Sequence, residues 1–284
     1  MQATAIALLL LSATLHTAWN VMLKGLPDKY IATWWVVVCG AVISLPGLAF
    51  TGLPPRPLWF FVTISVLSEV LYFLLLSRAY GLHEFSLIYP FARGAAPAIL
   101  ALWSVLFLHE RLTAAGLVGL AMIVGGLLVI GASAFRAAPH GTIPRQGIAA
   151  ALGIALLISL YTLIDGAAVK RGTVLPYALT VFALIPIPAA PIVLRRFGWP
   201  AMARVWNAAW ARLMAISVLG IAAYLLALAA YKVSPLSYAG AIREVSVVIG
   251  ALAGWRLLGE EMGSVRLAGA LAVFSGILLI ALLG

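Results

Sequence analysis

The chain has 284 residues, of which 64% are hydrophobic and only 9% are charged, and its mean hydropathy is +1.13. A soluble protein of this length cannot bury so much apolar surface, so the composition excludes a water-soluble domain and predicts that lipid is the solvent. The formal charge of +10 comes mostly from residues between apolar runs. This placement favours anionic lipid headgroups of a bilayer as the partner and argues against nucleic acid.

Cysteine and arginine usage narrows the class of protein further. Cys39 is the single cysteine and lies in an apolar run, which excludes an intrachain disulfide and a metal site built on cysteines. We expect neither a metal nor another cofactor. Arginine outnumbers lysine, as is typical of a GC-rich bacterial genome, which favours the bacterial inner membrane. Because no basic residue precedes the first apolar run, we interpret that run as a retained span rather than a signal peptide.

Apolar runs long enough to cross a membrane recur along the chain. A helix needs about 20 apolar residues to cross the hydrocarbon, and continuous runs rather than alternation favour helices over a β-barrel. The sequence therefore predicts an all-α membrane protein with ten transmembrane helices. Cutting the chain at charges and at Pro/Gly clusters places them at roughly 3–23, 30–50, 58–80, 85–108, 113–133, 148–169, 174–194, 209–231, 236–258 and 264–283.

The two halves of the chain match each other at an offset of 150 residues. The matched positions carry arginine, glutamate or glycine, and they pair Arg93 with Arg243, Glu110 with Glu260, Gly119 with Gly269, and Gly126 with Gly276. We predict a first repeat at 1–134, a connecting loop at 135–145 and a second repeat at 146–284. Five spans is an odd number, so the repeats must be inverted relative to each other, as in alternating-access transporters around a central cavity.

Basic residues in the gaps predict the orientation. Five lysines and arginines lie in gaps on the side of the N-terminus, and eleven lie in the opposite gaps. The positive-inside rule then places both termini on the non-cytoplasmic side.

The end of each repeat and the first span resemble those of a known family. Each repeat ends in a glutamate followed by a glycine nine residues on and another seven after that, and the first span contains "HTAWNVMLK" (16–24). These features resemble the EamA-type branch of the drug/metabolite transporter superfamily. The resemblance implies a ten-helix bundle whose cavity is lined by spans 1, 3, 4, 6, 8 and 9. It also implies transport of small polar metabolites such as amino acids or nucleosides.

Arg93 and Arg243 stand out because they lie within apolar spans. An arginine at the centre of a membrane helix costs about 3 kcal/mol, so it must face protein, water or a partner. Three interpretations stay open for Arg93: snorkelling to the interface, a structural ion pair, or binding of a substrate anion by its guanidinium fork. Tyr89 lies one helical turn before Arg93 and is a further candidate contact. We expect the inverted Arg243 to lie on the other side of the midplane.

Several other polar residues fall in the spans that would line the cavity. The acids are Glu69, Asp165 and Glu244, which either balance the arginines, bind a substrate ammonium or carry a coupling proton. His16 is a candidate proton carrier, with a hydrogen-bonded interior histidine as the alternative. Asn20 shares its helix face. Five aromatics lie near these charges and either stack on a substrate or serve packing: Trp19, Tyr72, Tyr161, Tyr224 and Tyr238.

Other features have structural interpretations. We expect Glu110 and Glu260 to be interface residues that pair with nearby basic groups such as Arg111. The small-residue step of Ala121 and Gly125 predicts close helix packing.

The sequence favours a secondary transporter that moves an amino acid or related compound, with export more plausible than uptake. No phosphate-binding loop, nucleophile motif or metal motif is present, so we expect no ATP hydrolysis and no enzyme activity. The alternatives are a membrane channel and a non-transporting membrane subunit. We expect a monomer or a weak homodimer.

Overall fold

The computed structural model describes the backbone of residues 1–26, 28–82, 85–136, 145–258 and 264–284. Side chains are described within those ranges except at 76–91, 133–136, 145–146, 251 and 253–258. The described elements are helices joined by short connections. Their bounds are α1 Ala3–Lys24, α2 Lys29–Thr51, α3 Trp59–Leu82, α4 Phe85–Leu108, α5 Ala114–Arg136, α6 Arg145–Arg171, α7 Val174–Leu184, α8 Pro186–Val233, α9 Leu236–Arg243, α10 Val245–Leu258 and α11 Ser264–Leu283, with a 3₁₀ turn at Arg56–Leu58.

The prediction of an all-helical membrane protein is confirmed. Seven stretches of the described chain are long and apolar enough to cross a membrane, and one of them, Val174–Val233, has 60 residues. That length suffices for two crossings, since one crossing needs about 20 residues. The helix axis breaks inside this stretch at Gly198 (φ 71°) and Ala209 (φ −147°). Predicted spans 7 and 8 therefore correspond to its two ends.

Predicted span 9 is a helix interrupted at one residue. Helix α9 ends at Arg243, and Glu244 adopts φ −69° and ψ −4° before α10 begins at Val245. The Glu244 amide donates to Ala241 O, and the Val247 amide donates to Glu244 O, so the break is a short turn rather than a gap in hydrogen bonding. An interruption at this depth is tolerated only where the backbone faces protein or a cavity.

Helices α5 and α11 show how the two repeats are related. A methyl group added at Gly119 would lie 2.8 Å from Gly276 O, and one added at Gly269 would lie 2.7 Å from Gly126 O. Gly119 thus contacts Gly276, and the repeat counterparts of these two residues, Gly269 and Gly126, contact each other in the same way. This is the reciprocal contact that a two-fold axis generates. Because the residue numbers rise in α5 as they fall in α11, the two corresponding helices are antiparallel. The halves are therefore inverted, as predicted.

The prediction of close packing at Ala121 and Gly125 is wrong. Both residues are exposed, and a methyl group at Gly125 would meet nothing within 4 Å. The glycines that pack are Gly119 and Gly126, because they face α11 whereas Gly125 faces outward.

Polarity is distributed inside out relative to a soluble protein. Large apolar side chains such as Phe50, Phe107 and Leu271 are exposed on the outside. Charged side chains such as Arg93 and Asp165 are buried in the interior. This arrangement is stable only in lipid, and it concentrates the chemistry at the centre of the bundle.

Candidate functional site

Arg93 lies at the centre of a buried polar cluster built from α1, α4 and the α9–α10 turn. Its side chain is 4% exposed, and its Nε lies 3.0 Å from Glu244 Oε2. Its Nη2 lies 3.3 Å from His16 Nε2 and 3.4 Å from Ser246 Oγ. Burial of this degree excludes snorkelling, and of the interpretations left open the structure supports the ion pair for Arg93.

The contact with Arg93 determines the protonation of His16. A guanidinium has donors only, so His16 Nε2 must accept and therefore carries no proton. The imidazole is neutral while this contact exists. His16 also packs edge-on against Trp19, with ring centroids 5.0 Å apart.

Arg243 faces a different helix from its neighbour Glu244. Adjacent residues on a helix point about 100° apart, so Glu244 turns to Arg93 whereas Arg243 turns to α8, where its Nη1 donates to Tyr231 OH at 3.3 Å. Among the described residues, no carboxylate lies within 4 Å of the Arg243 guanidinium. Its Nε is buried without a hydrogen-bond partner. Arg243 is thus a buried cation that no described residue neutralises by direct contact.

The structure brings the two arginines close together, and the expectation that they lie on opposite sides of the midplane stays a prediction. Arg93 contacts Ser246, which follows Arg243 by three residues, and Arg93 acts electrostatically on Arg243. Positions close to a two-fold axis lie near their own symmetry partners, which explains why inversion brings these residues together.

A small cavity borders Arg243. Its volume is about 10 Å³, and Ser159, Thr162, Tyr231 and Glu244 are among its lining residues. This is about the space that one water molecule needs. In this conformation the cavity is therefore too small for a metabolite.

Asp165, on α6, is held by hydroxyl groups from three other helices. Ser65 and Tyr177 donate to its Oδ1 at 2.6 and 2.7 Å, and Tyr224 donates to its Oδ2 at 2.9 Å. A carboxylate that accepts several hydrogen bonds is stabilised in its ionised form. Asp165 therefore ties α3, α6, α7 and α8 together, and both Asp165 and Tyr224 have their polar atoms engaged within the protein.

Glu69 differs from Asp165 although both lie in the interior. On α3, Leu67 and Leu71 are exposed on the outer face of the helix. Glu69 lies one helical turn after the buried Ser65, so Glu69 and Ser65 share the inner face. Within the described part of the chain, no side chain or amide donates a hydrogen bond to the Glu69 carboxyl. The Glu69 side chain is only partly buried. Because it lies on the inner face of α3, we infer that it borders a space inside the bundle.

Two tyrosines lie beside Glu69 and Arg243. The rings of Tyr72 and Tyr161 are 6.1 Å apart in an edge-on arrangement. Tyr161 interacts electrostatically with both Arg243 and Glu69. Of the aromatic residues predicted to contact substrate, Tyr72 and Tyr161 are therefore the two that lie near Glu69 and Arg243.

Two of the predicted contact residues form hydrogen bonds away from Arg243 and Glu69, and a third is not among the described side chains. The Asn20 amide donates to His16 O in its own helix. The Tyr238 hydroxyl accepts from the Thr113 amide at 3.0 Å, near one end of the bundle. Tyr89 lies in a part of α4 whose side chains are outside the described residues.

Four residues of the polar centre were missed by sequence analysis: Ser65, Tyr177, Tyr231 and Ser246. Ser65 precedes Glu69 by one turn and Ser246 follows Arg243 by three residues, so spacing along a helix could have found these two. Nothing in the sequence links Tyr177 to Asp165, since the two are on different helices.

Glu110 joins the two repeats at one end of the bundle. Its carboxylate accepts from the amides of Leu236 and Ser237, at 2.6 and 3.0 Å, and from Ser237 Oγ at 2.8 Å. Lys170 Nζ donates to it at 3.0 Å. Glu110 therefore caps the N-terminus of α9. Glu110 pairs with a basic group, as predicted, but this group is Lys170 rather than Arg111, because the carboxylate faces α6 and α9. Glu260 lies outside the described residues.

We expect the Glu110 joint to depend on pH. Burial opposes ionisation, but hydrogen bonds from Leu236, Ser237 and Lys170 outweigh it and hold the pKa of Glu110 below its ordinary value of 4.5. Because the folded chain binds this proton less readily than the unfolded chain, the stabilisation is present above pH 4.5 and is lost as the pH falls through the lower folded value. Glu110→Ala should lower the melting temperature at neutral pH, and its deficit should shrink below pH 4.5.

Thermal unfolding followed by intrinsic fluorescence in detergent measures this effect. Arg111→Ala is the matched control, because its side chain neighbours Glu110 without bonding to the carboxylate. A deficit of Glu110→Ala that stays constant over the whole acid range would contradict the assignment.

Comparison with known proteins identifies the family. The sequence model of the EamA-like transporter family matches residues 3–132 and again residues 145–282. Twenty-eight solved chains match; one, described only as "Crystal structure of protein", has 17% sequence identity and a TM-score of 0.76, and the match covers 100% of this chain and 98% of the other. At this identity the similarity shows the fold alone. A search of curated proteins finds no match. Because the family model covers nearly the whole sequence in two successive copies, this multi-pass membrane protein belongs to the EamA-like transporter family.

Proposed function

We propose that the chain is a secondary transporter for a small zwitterionic metabolite of the amino-acid type. The observation that supports this most directly is Arg243, a buried guanidinium that borders a central cavity and has no carboxylate partner within the described residues. Burying a cation is costly unless an anion neutralises it. Asp165 acts on Arg243 electrostatically but makes no ion pair with it, and a substrate carboxylate that binds the guanidinium fork would supply the missing direct contact.

Glu69 supplies the complementary charge for the other end of the substrate. Arg243 acts electrostatically on Glu69, and the Glu69 carboxyl accepts no hydrogen bond from the described part of the protein. A zwitterion would place its carboxylate on Arg243 and its ammonium on Glu69. Tyr72 and Tyr161 would form one wall of this site. Arg93 and Glu244 would hold the surrounding helices rather than the substrate, because each neutralises the charge of the other at 3.0 Å. Asp165 would do the same, because three hydroxyls already bind its carboxylate.

Alternating access would open this site to each side of the membrane in turn. A vestibule of about 360 Å³, lined by Arg111, Lys170 and Lys232, lies next to the Glu110 joint. The cavity at Arg243 is only about 10 Å³. In the proposed cycle, the Glu110 joint closes this end and must break before substrate can pass. The positive-inside rule supports an inner-membrane orientation with both termini on the non-cytoplasmic side.

Counterflow in proteoliposomes tests the proposal. Vesicles of purified protein are loaded with an unlabelled neutral amino acid and then diluted into a trace of the same labelled compound. A transporter gives transient accumulation that saturates with concentration, a channel gives unsaturable flux, and a non-transporting subunit gives neither. Alanine, threonine, leucine and phenylalanine would be tested separately, with a nucleoside as the non-zwitterionic control. Accumulation of the nucleoside alone would overturn the proposal.

A further inference from the structure

Two carboxyl groups of the polar centre lie within electrostatic range of each other but in different environments. Asp165 accepts hydrogen bonds from Ser65, Tyr177 and Tyr224. Glu69 accepts none from the described residues, and Asp165 and Arg243 are the charged groups that act on it. When two such carboxyls share an interior, the proton resides on the one whose ionised form is less well solvated. That carboxyl is Glu69.

The charges around Glu69 support the same assignment. Arg93 and Glu244 form a direct ion pair, and Arg243 offsets the charge of ionised Asp165. These four charges balance without Glu69, so an ionised Glu69 would leave an excess negative charge in a low-dielectric interior. Among the described residues, the other titratable groups that interact electrostatically with Glu69 are Tyr161, Tyr177 and Tyr224. They are neutral hydroxyls, and on α3 itself Tyr72 is the nearest further titratable side chain on this face.

We propose that Glu69 is the proton-binding site that couples transport to the proton gradient. In the empty protein Glu69 carries a proton. The substrate ammonium and this proton compete for one carboxylate, so binding of a zwitterion at Glu69 and Arg243 releases the proton. Because the site holds either the proton or the substrate, the protein exchanges one for the other. Proton entry down its gradient then drives the metabolite out of the cell. This inference rests on the proposed function for its substrate, but not for its proton site.

Infrared spectroscopy tests the proton site without any substrate. Purified protein in lipid is titrated from acid to alkaline pH while the carbonyl-stretch band of protonated carboxyl groups is recorded. We expect a band that disappears as the pH rises in the wild type, is missing from Glu69→Gln and persists at a shifted frequency in Glu69→Asp. A band that persists in folded Glu69→Gln, or a wild type without a titrating band, would overturn the proposal.

Transport measurements test the coupling. In vesicles loaded with the amino acid that exchanges most strongly, an acidic exterior should accelerate efflux by the wild type. Glu69→Gln should need a higher concentration of the amino acid to saturate counterflow, because a neutral amide binds an ammonium more weakly than a carboxylate does. At saturating concentration its efflux should show no acceleration by the pH gradient, because the amide cannot bind the proton. An equal acceleration in this variant would contradict the proposal. If no amino acid exchanges but the infrared band depends on Glu69, the proposed substrate is wrong and the proton site stands.

Discussion

Arg93→Gln is expected to destabilise the protein by roughly 3–5 kcal/mol, because it leaves the buried Glu244 carboxylate without its partner. Arg243→Gln is expected to cost far less, since no carboxylate among the described residues depends on direct contact with it. The two arginines occupy the same position in the two repeats. Their opposite outcomes therefore test whether one is structural and the other is available to a ligand.

Thermal unfolding in detergent measures the contrast, and a double variant makes it specific. Glu244→Gln added to Arg93→Gln removes the uncompensated charge, so the double variant should regain most of the stability that the single variant loses. A double variant that is less stable than Arg93→Gln alone would show that the ion pair is not the cause.

Counterflow tests whether Arg243 is available to a substrate. Arg243→Gln should fold but lose accumulation of the amino acid, and Arg243→Lys should retain part of it, because an ammonium keeps the charge but loses the bidentate fork. Tyr231→Phe is the matched control, since it removes the observed partner of Arg243 without removing the cation. Normal transport by Arg243→Gln would refute the proposed substrate site.

Gly126→Ala is the second variant with a large expected effect. The added methyl group would lie 2.5 Å from Gly269 O, which belongs to the backbone of the opposing repeat. A backbone carbonyl cannot move aside as a flexible side chain can, so α5 and α11 must separate along their whole seam. We expect a loss of at least about 1–3 kcal/mol, the usual cost of overpacking.

Gly125→Ala is the control for this variant. It makes the same chemical change one residue away, where the added methyl group meets nothing within 4 Å. It should be neutral or slightly stabilising, since alanine is the better helix former. Thermal unfolding of both variants decides the matter, and equal stabilities would show that the α5–α11 seam is not tightly packed.

Some of the molecule was predictable because lipid imposes strict rules on a single chain. The thickness of the bilayer dictates the length of each apolar run, so the spans could be located from composition alone. The 150-residue match of Gly119 and Gly126 with Gly269 and Gly276 indicated an inverted repeat, and these glycines form the seam between the halves. The cost of burying charge directed attention to Arg93, Arg243, Glu69 and Asp165 before any contact was known.

The sequence alone determined the membrane class, the spans, the repeat and the set of buried charges, because each depends on distances along one helix or on transfer from water to lipid. Only the tertiary structure decided that Glu244 neutralises Arg93 and that three hydroxyls hold Asp165. It also decided that, among the described residues, Arg243 has no carboxylate partner and Glu69 accepts no hydrogen bond. Those outcomes depend on separations of a few ångströms between different helices, and the packing of the whole bundle sets these separations.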